Sequence, residues 1–260
     1  MQRSPATVRA VNSRADQSSM ALPALLLHGE TASCRVQHWS YQPHVAQLVL
    51  YNQRQLPTVV DLQHWSATLR ELGYHTVRTT ALASMAALRA EAAGFRCLQE
   101  LVLLEHTHPE RAVLRPLGPH VRRSRPTRRL THDDLGQASA VDLAAFGSDW
   151  ALDTTAIAAV RAATPRHRVR GVGEPLSGFA ISGRDGRQGF LQRLAVEPSE
   201  HRSGIGSALV VDSLRWLARW RVQRVLVNTP VDNEPAVALY QKLGFRRLGE
   251  RLRVYELALK

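Results

Sequence analysis

Cysteine is nearly absent from this 260-residue chain, which holds only Cys34 and Cys97. Two thiols build neither a disulfide framework nor a four-cysteine zinc site, so a reducing cytoplasm is the expected setting. Long apolar runs are missing too. Nothing approaches the ~18 uninterrupted apolar residues of a membrane span, and neither a transmembrane helix nor a membrane partner is expected. Arg3, Arg9 and Arg14 precede an apolar run from Met20 to Leu27, but that run is short and contains Pro23. A signal peptide is therefore not expected. Acidic residues are in deficit: 22 Asp and Glu face 34 Lys and Arg, a formal net charge of +12, and the basic residues are nearly all Arg.

What is present is ordinary globular composition, 44% apolar and 22% charged. The length suits two units of about 100 to 150 residues. The positive charge is uneven, +3 over residues 1–115 and +9 over 116–260. Five arginines fall between Arg122 and Arg129. They read either as a nucleic-acid patch or as a solvated linker; no aromatic residue interleaves them and no nucleic-acid motif accompanies them, so nucleic acid is not expected as a partner. Pro116, Pro119 and Pro126 mark a boundary there. The expected organisation is a disordered tail over 1–19, a first domain over 20–115, a basic Pro/Arg linker over 116–129 and a second domain over 130–260.

The second domain reads as alternating elements. Helices are expected over Ala138 to Phe146 and Thr154 to Ala163, then strands over His167 to Val172, Ser177 to Ile181 and Gly189 to Val196, the last two joined by a hairpin turn at Asp185-Gly186. A helix from Ser207 to Trp220, a strand from Val222 to Asn228, a helix from Glu234 to Leu243 and an extended segment from Phe245 to Leu259 complete a mixed α/β order. A repeat is visible across the halves. The strand at His75, a helix through Met85 to Ala93 and Gly94-Phe95 mirror the strand at Gln223, the helix to Leu243 and Gly244-Phe245, at a constant offset of 150 residues. Duplication explains this better than chance.

Chemistry concentrates in two segments. In Leu194-Ala195-Val196-Glu-Pro-Ser-Glu-His201-Arg202-Ser203-Gly204-Ile205-Gly206-Ser207 a strand turns at Pro198 and a helix begins inside a glycine pair. Several backbone N–H groups then point out of one loop, a geometry that binds phosphate. A dinucleotide fingerprint is excluded because Leu209 stands where its third glycine belongs, and a Walker loop because Gly-Lys-Ser/Thr is absent. The second segment runs from Val225 through Asn228, Asp232-Asn233 and Leu239-Tyr240 to Leu243-Gly-Phe245. Singly, Asn228 reads as a strand end, Asn233 as a helix cap and Tyr240 as packing; jointly their spacing points to a site.

Together these segments resemble the coenzyme A-binding motifs of the GNAT superfamily of N-acetyltransferases. The resemblance covers about 130 residues, with Val-x-Pro, a glycine loop, Asp-Asn-x-x-Ala, Leu-Tyr and Leu-Gly-Phe in family order. It implies a GNAT acyl-CoA acyltransferase fold and acetyl transfer from acetyl-CoA to a small-molecule or peptide amine, with no metal. Leu194, Ala195 and Val196 would hold the pantetheine arm by their backbone. His201 would open the loop, Arg202 to Ser207 would cradle the pyrophosphate, and Asn228 and Asn233 would lie along the cofactor. Tyr240 would protonate the leaving thiolate. Backbone N–H groups near Val196 would polarise the thioester carbonyl.

The chain departs from the family pattern in two places. His201-Arg202 replaces the usual loop opening. The strand from Gly189 to Val196 carries Gln192 and Arg193 where many relatives have a glutamate base; Glu197, Asp149 and a water chain are the candidates, and the base stays unassigned. Phe146, Asp149 and Trp150 occupy the stretch where relatives bind the acceptor, and here an aromatic grip on substrate competes with a core anchor. In the first half the 150-residue offset sets Ala83 against Asn233 and Ala90 against Tyr240, and no glycine loop precedes them. The chain is thus similar to mycothiol synthase-like tandem GNAT proteins with one degenerate half. A non-catalytic acyl-CoA sensor is the alternative.

Overall fold

The computed structural model describes residues 25–52, 55–110 and 126–260. The expected tail over 1–19 and all but the end of the expected linker fall outside these residues. The chain divides into two units, residues 1–101 with 250–260, and residues 102–249.

In the first unit β1 (Leu25–His28), β2 (Ser33–Trp39) and β3 (Gln42–Leu50) form an antiparallel meander. Helix α1 (Val59–Glu71) then crosses to β4 (Thr76–Thr79), which lies parallel to β3. Helix α2 (Ser84–Ala92) leads into β5 (Arg96–His106). The end of the final strand, β11 (Arg246–Ala258), returns antiparallel to β4, with Glu256 opposite Arg78. The helix starts where the sequence supplies a cap. Thr58 accepts from Asp61 N–H at 3.0 Å, and the Asp61 carboxylate accepts from Thr58 N–H at 2.9 Å. This reciprocal capping box satisfies two donors that the helix itself leaves without partners. Trp65 and Leu69 of α1 pack fully buried against Cys34, Ala46, Val77 and Tyr255. Each large apolar side chain so buried contributes roughly 1.5–3 kcal/mol.

The second unit orders its strands as the end of β5, β10 (Arg224–Pro230), β9 (Gln188–Val196), β8 (Gly178–Asp185), β7 (Arg166–Val172) and β6 (Arg128–Arg129). Arg128 and Arg129, assigned to the linker by composition, pair with Gly171 and Arg170 of β7. β8 and β9 form the hairpin expected at Asp185-Gly186, where Gly186 takes φ of 53°. Helices α3 (Leu135–Phe146) and α4 (Thr154–Ala162) share one core with Phe179 and Ile181. Helices α5 (Ile205–Arg219) and α6 (Glu234–Lys242) share another with Ala180 of the same strand. Successive β8 residues point to opposite faces, so the two cores cover the two sides of the sheet. Each element lies within a few residues of its expected span; α5 starts two residues before Ser207 because Gly204, at φ of 93°, turns the chain into the helix.

The duplication extends beyond the strand-helix-strand seen in the sequence. Meander, helix, parallel strand, helix and strand occur as β1–β2–β3, α1, β4, α2, β5 and again as β7–β8–β9, α5, β10, α6, β11. The two helix stops match in detail. Gly94 and Gly244 take φ of 92° and 97°. Phe95 N–H donates to Ala90 C=O and Phe245 N–H to Tyr240 C=O, each at 3.0 Å. Left-handed glycine closing a helix in this way is a Schellman-type stop. Substituting Gly244 would be doubly unfavourable, since a Cβ there would lie 3.0 Å from His106 Nε2.

Candidate active site

β9 and β10 run parallel but pair at only three positions, Gln188 with Arg224, Gly189 with Val225 and Phe190 with Leu226. Beyond Phe190 no further pair joins them among the described residues, although β9 continues to Val196 and β10 to Pro230. On its other edge β9 stays paired with β8 as far as Val196 opposite Gly178. Glu197 N–H donates to Ser177 C=O at 2.9 Å. By strand alternation the backbone groups of Val196 and Leu194 face the opposite way, into the gap on the β10 side. Ala195 side chain and backbone turn away from that gap, its side chain buried against α3 and α4.

The loop after β9 closes this gap at one end. A short 3-10 turn over Pro198–Glu200 leads to exposed His201, Arg202 and Ser203, with Arg202 at φ of 62°. His201 Nε2 lies 3.2 Å from Val196 C=O, and Ser203 Oγ donates to Glu200 C=O at 2.6 Å. The first turn bond of α5 is Ala208 N–H to Gly204 C=O at 3.0 Å. The N–H groups of Ile205, Gly206 and Ser207 therefore precede any helical partner, at the end of the dipole that carries about +0.5 charge. Gly206 is small for a packing reason as well: a Cβ would come 3.2 Å from Leu239 Cδ2. Gly178 likewise admits Ile205, whose Cγ2 would lie 2.9 Å from a Cβ there.

On the β10 side Asn228 is exposed, and Asn233 caps α6 by accepting from Ala236 N–H at 3.2 Å. Tyr240 of α6 is buried, its ring centroid 5.6 Å from that of Phe245. Burial pushes the Tyr240 phenol well above its ordinary range, against the pull of the Arg193 charge. Leu194 and Val196 pack against the same core as Tyr240.

Arg193 is the organising residue on the opposite face. Its Nε donates to Asp142 Oδ2 at 2.8 Å, and its Nη2 to Asp142 Oδ1 at 2.5 Å and to Trp150 C=O at 2.9 Å. The guanidinium lies 3.7 Å over the Phe146 ring. Asp142 is fully buried and also accepts from Leu152 N–H at 2.6 Å. Phe146 and Trp150 are thus brought to the site as supports of Arg193. Asp149 is exposed, and Glu197 is half-buried beside the end of β9. Asp142, which reaches Arg193 across 51 residues of sequence, escaped sequence reasoning because neither residue forms part of a local motif.

A family model for the acetyltransferase (GNAT) family matches residues 119–245. Residues 119–245 are a GNAT-family domain. The matches to curated relatives are short. One is mycothiol acetyltransferase from Acidothermus cellulolyticus, 38% identical over 61 residues, 24% of this chain and 19% of that protein. Another is human N-alpha-acetyltransferase 30, 33% identical over 69 residues, 26% of this chain and 19% of that protein. The chain thus matches about a fifth of the length of either. A tandem GNAT protein from the clavulanic acid biosynthesis pathway aligns over 92% of this chain and 83% of its own, at 14% identity and a TM-score of 0.64. That likeness is one of fold, and the fold is a tandem GNAT arrangement of mixed α/β units.

The first unit shows what became of the corresponding loop in its copy of the fold. At the N-terminus of α1 the Asp61 carboxylate accepts from Thr58 N–H, from Thr31 Oγ1 at 2.7 Å and from Glu30 N–H at 2.6 Å. An internal anion therefore occupies the helix end that in the GNAT domain is left open. A Cβ on Gly29 would collide with that carboxylate. Among the described residues no helix is long and apolar enough to cross a membrane, and no group of three metal-ligating side chains is found.

Proposed function

We propose that the GNAT domain transfers an acetyl group from acetyl-CoA to a primary amine of a small molecule or a peptide N-terminus, in the cytoplasm, by direct attack. The observation that carries this reading is the gap between β9 and β10, with an open helix N-terminus at its mouth and Tyr240 buried in the core against which Leu194 and Val196 pack. The N–H groups from Arg202 to Ser207, those of Ile205, Gly206 and Ser207 being without a helical partner while that of Ser203 donates to Glu200 C=O at 3.4 Å, suit a pyrophosphate, and the backbone of Leu194 and Val196 suits an amide-containing arm. Because His201 engages Val196 C=O, the Val196 N–H is the group left to polarise a thioester carbonyl. Tyr240 keeps its proton at neutral pH and so can donate it to a departing thiolate. Holding amine and thioester together supplies much of the remaining rate. The first unit, with its helix end filled by Asp61 and with Ala90 at the Tyr240 position, supports no transfer of its own.

Calorimetric titration with acetyl-CoA and free CoA tests the binding half of this reading; no heat at millimolar ligand refutes it. Thiol release across a panel of amines and peptide N-termini tests the chemistry. The names of the relatives point to different acceptors, so both classes belong in the panel. Arg193 supports the second reading, an acyl-CoA sensor: an ion-paired cation occupies the strand position from which a carboxylate would take the amine proton. Tight binding with no turnover on any acceptor would establish the sensor.

A further inference from the structure

A charged cavity of about 400 Å³ opens in the GNAT domain between β6, β7 and the C-terminal ends of α4 and α5. Five guanidinium groups line it, those of Arg129, Arg161, Arg168, Arg170 and Arg219, with His167 at the wall. One carboxylate answers them. Asp212 lies 3.1 Å from Arg168 and 3.5 Å from Arg170. Arg170 is further fixed by Thr127 Oγ1 at 2.8 Å. The side chains of Arg129, Arg161 and Arg219 make no hydrogen bond or ion pair among the described residues. The negative end of the α5 dipole offsets only about half a charge, so a clear positive excess remains. Burial, with the neighbouring Arg170 and Arg219 charges, lowers the Arg168 pKa against the pull of Asp212. Like charges held this close are stabilised when an anion enters.

We propose that this cavity binds a small organic polyphosphate, separately from the acyl-CoA site. Guanidinium forks match phosphate oxygens two at a time, and three of the five forks have no other partner. The volume falls in the range of small-molecule sites, about 300–1,000 Å³. Trp216, which lines the same cavity, supplies an aromatic wall for an organic ring, a feature that inorganic phosphate would not use. Arg219 follows Ile205 by 14 residues along α5, so the cavity lies roughly 20 Å along the helix axis from the acyl-CoA loop.

The test is calorimetric titration of the CoA-saturated full chain with ADP and with pyrophosphate, at low and at physiological salt. ADP is expected to bind despite the saturating CoA, and more weakly at the higher salt. Replacing Arg129, Arg161 and Arg219 together by Ser should lower ADP affinity by at least about tenfold, with CoA affinity and melting temperature retained. Trp216→Leu should weaken ADP and spare pyrophosphate. The proposal is overturned by the absence of heat with ADP, by equal ADP affinity in the triple variant, by displacement of ADP by CoA, or by a duplex oligonucleotide that outcompetes ADP. If CoA itself does not bind, the same titration on the free protein still reads the arginine dependence, so failure of the acyl-CoA assignment remains distinguishable.

Discussion

Asp142→Ala should destabilise the GNAT domain by about 4 kcal/mol, and the structure shows why. The Asp142 side chain is 0% exposed and that of its partner Arg193 18%. Truncation leaves the guanidinium with the Trp150 carbonyl and the Phe146 face but no counter-charge. Breaking such a pair by removing one member costs about 3–5 kcal/mol. The same substitution orphans Leu152 N–H, a loss of about 1–3 kcal/mol that overlaps with the first because both act through one carboxylate. Against a typical domain stability of about 5–15 kcal/mol this is a large fraction. Asp142→Asn keeps an acceptor for Leu152 and should cost about half as much. The double variant Asp142→Leu with Arg193→Met removes both charges and should recover most of the loss. Urea unfolding followed by tryptophan fluorescence gives these stabilities together with those of the single variants Asp142→Leu and Arg193→Met. A cost below about 1 kcal/mol for Asp142→Ala, or single costs that simply add in the double variant, would refute the buried-pair account.

Other consequences follow from single residues. Tyr240→Phe should lower turnover by about 10² or more, with acetyl-CoA affinity unchanged; equal rates in steady-state assays remove Tyr240 from proton transfer. Gly204→Ala forces an L residue to φ of 93°, at a cost on the order of 1–3 kcal/mol, and should weaken CoA binding by about tenfold in titration; unchanged affinity would mean that the loop does not hold the phosphates. Burial alone would raise the Asp61 carboxyl, but the bonds donated by Thr58, Thr31 and Glu30 outweigh it and hold it below its ordinary value. The Asp61 contribution is thus complete above the unfolded value of about 3.9 and is lost as pH falls towards the lower folded value. Asp61→Asn should lower the melting temperature near neutrality and flatten its fall below about pH 4; a melting profile parallel to that of the wild type would contradict this.

The elements of the second unit were legible because their signals are local. The Asp185-Gly186 turn, the Gly244 stop and the glycine pair before α5 each act within a few residues. The relation of β9 to β10 was not legible, since a gap arises from where two strands stop pairing, and no residue type marks that place. Arg193 stood out only as a missing carboxylate; its role needs Asp142, Phe146 and Trp150, which come from another helix and loop. Arg128 and Arg129 read as linker because a two-residue edge strand has no periodicity. Asp61 illustrates the converse. Its capping spacing from Thr58 is visible in the sequence, whereas its contacts to Thr31 and Glu30 depend on β1 and β2 being folded beside it.

Residues 250–260 group with the first unit, where β11 supplies the antiparallel neighbour of β4 and buries Tyr255, whose N–H donates to Thr79 Oγ1 at 3.0 Å. A chain made from its N-terminus at about 5–20 residues per second therefore leaves the ribosome with its first unit lacking the strand that lies between β4 and β5. That unit can close only after the whole GNAT domain has been synthesised. Excision of residues 130–260 as a separate protein would strand an orphan strand on one side and expose an open sheet edge on the other.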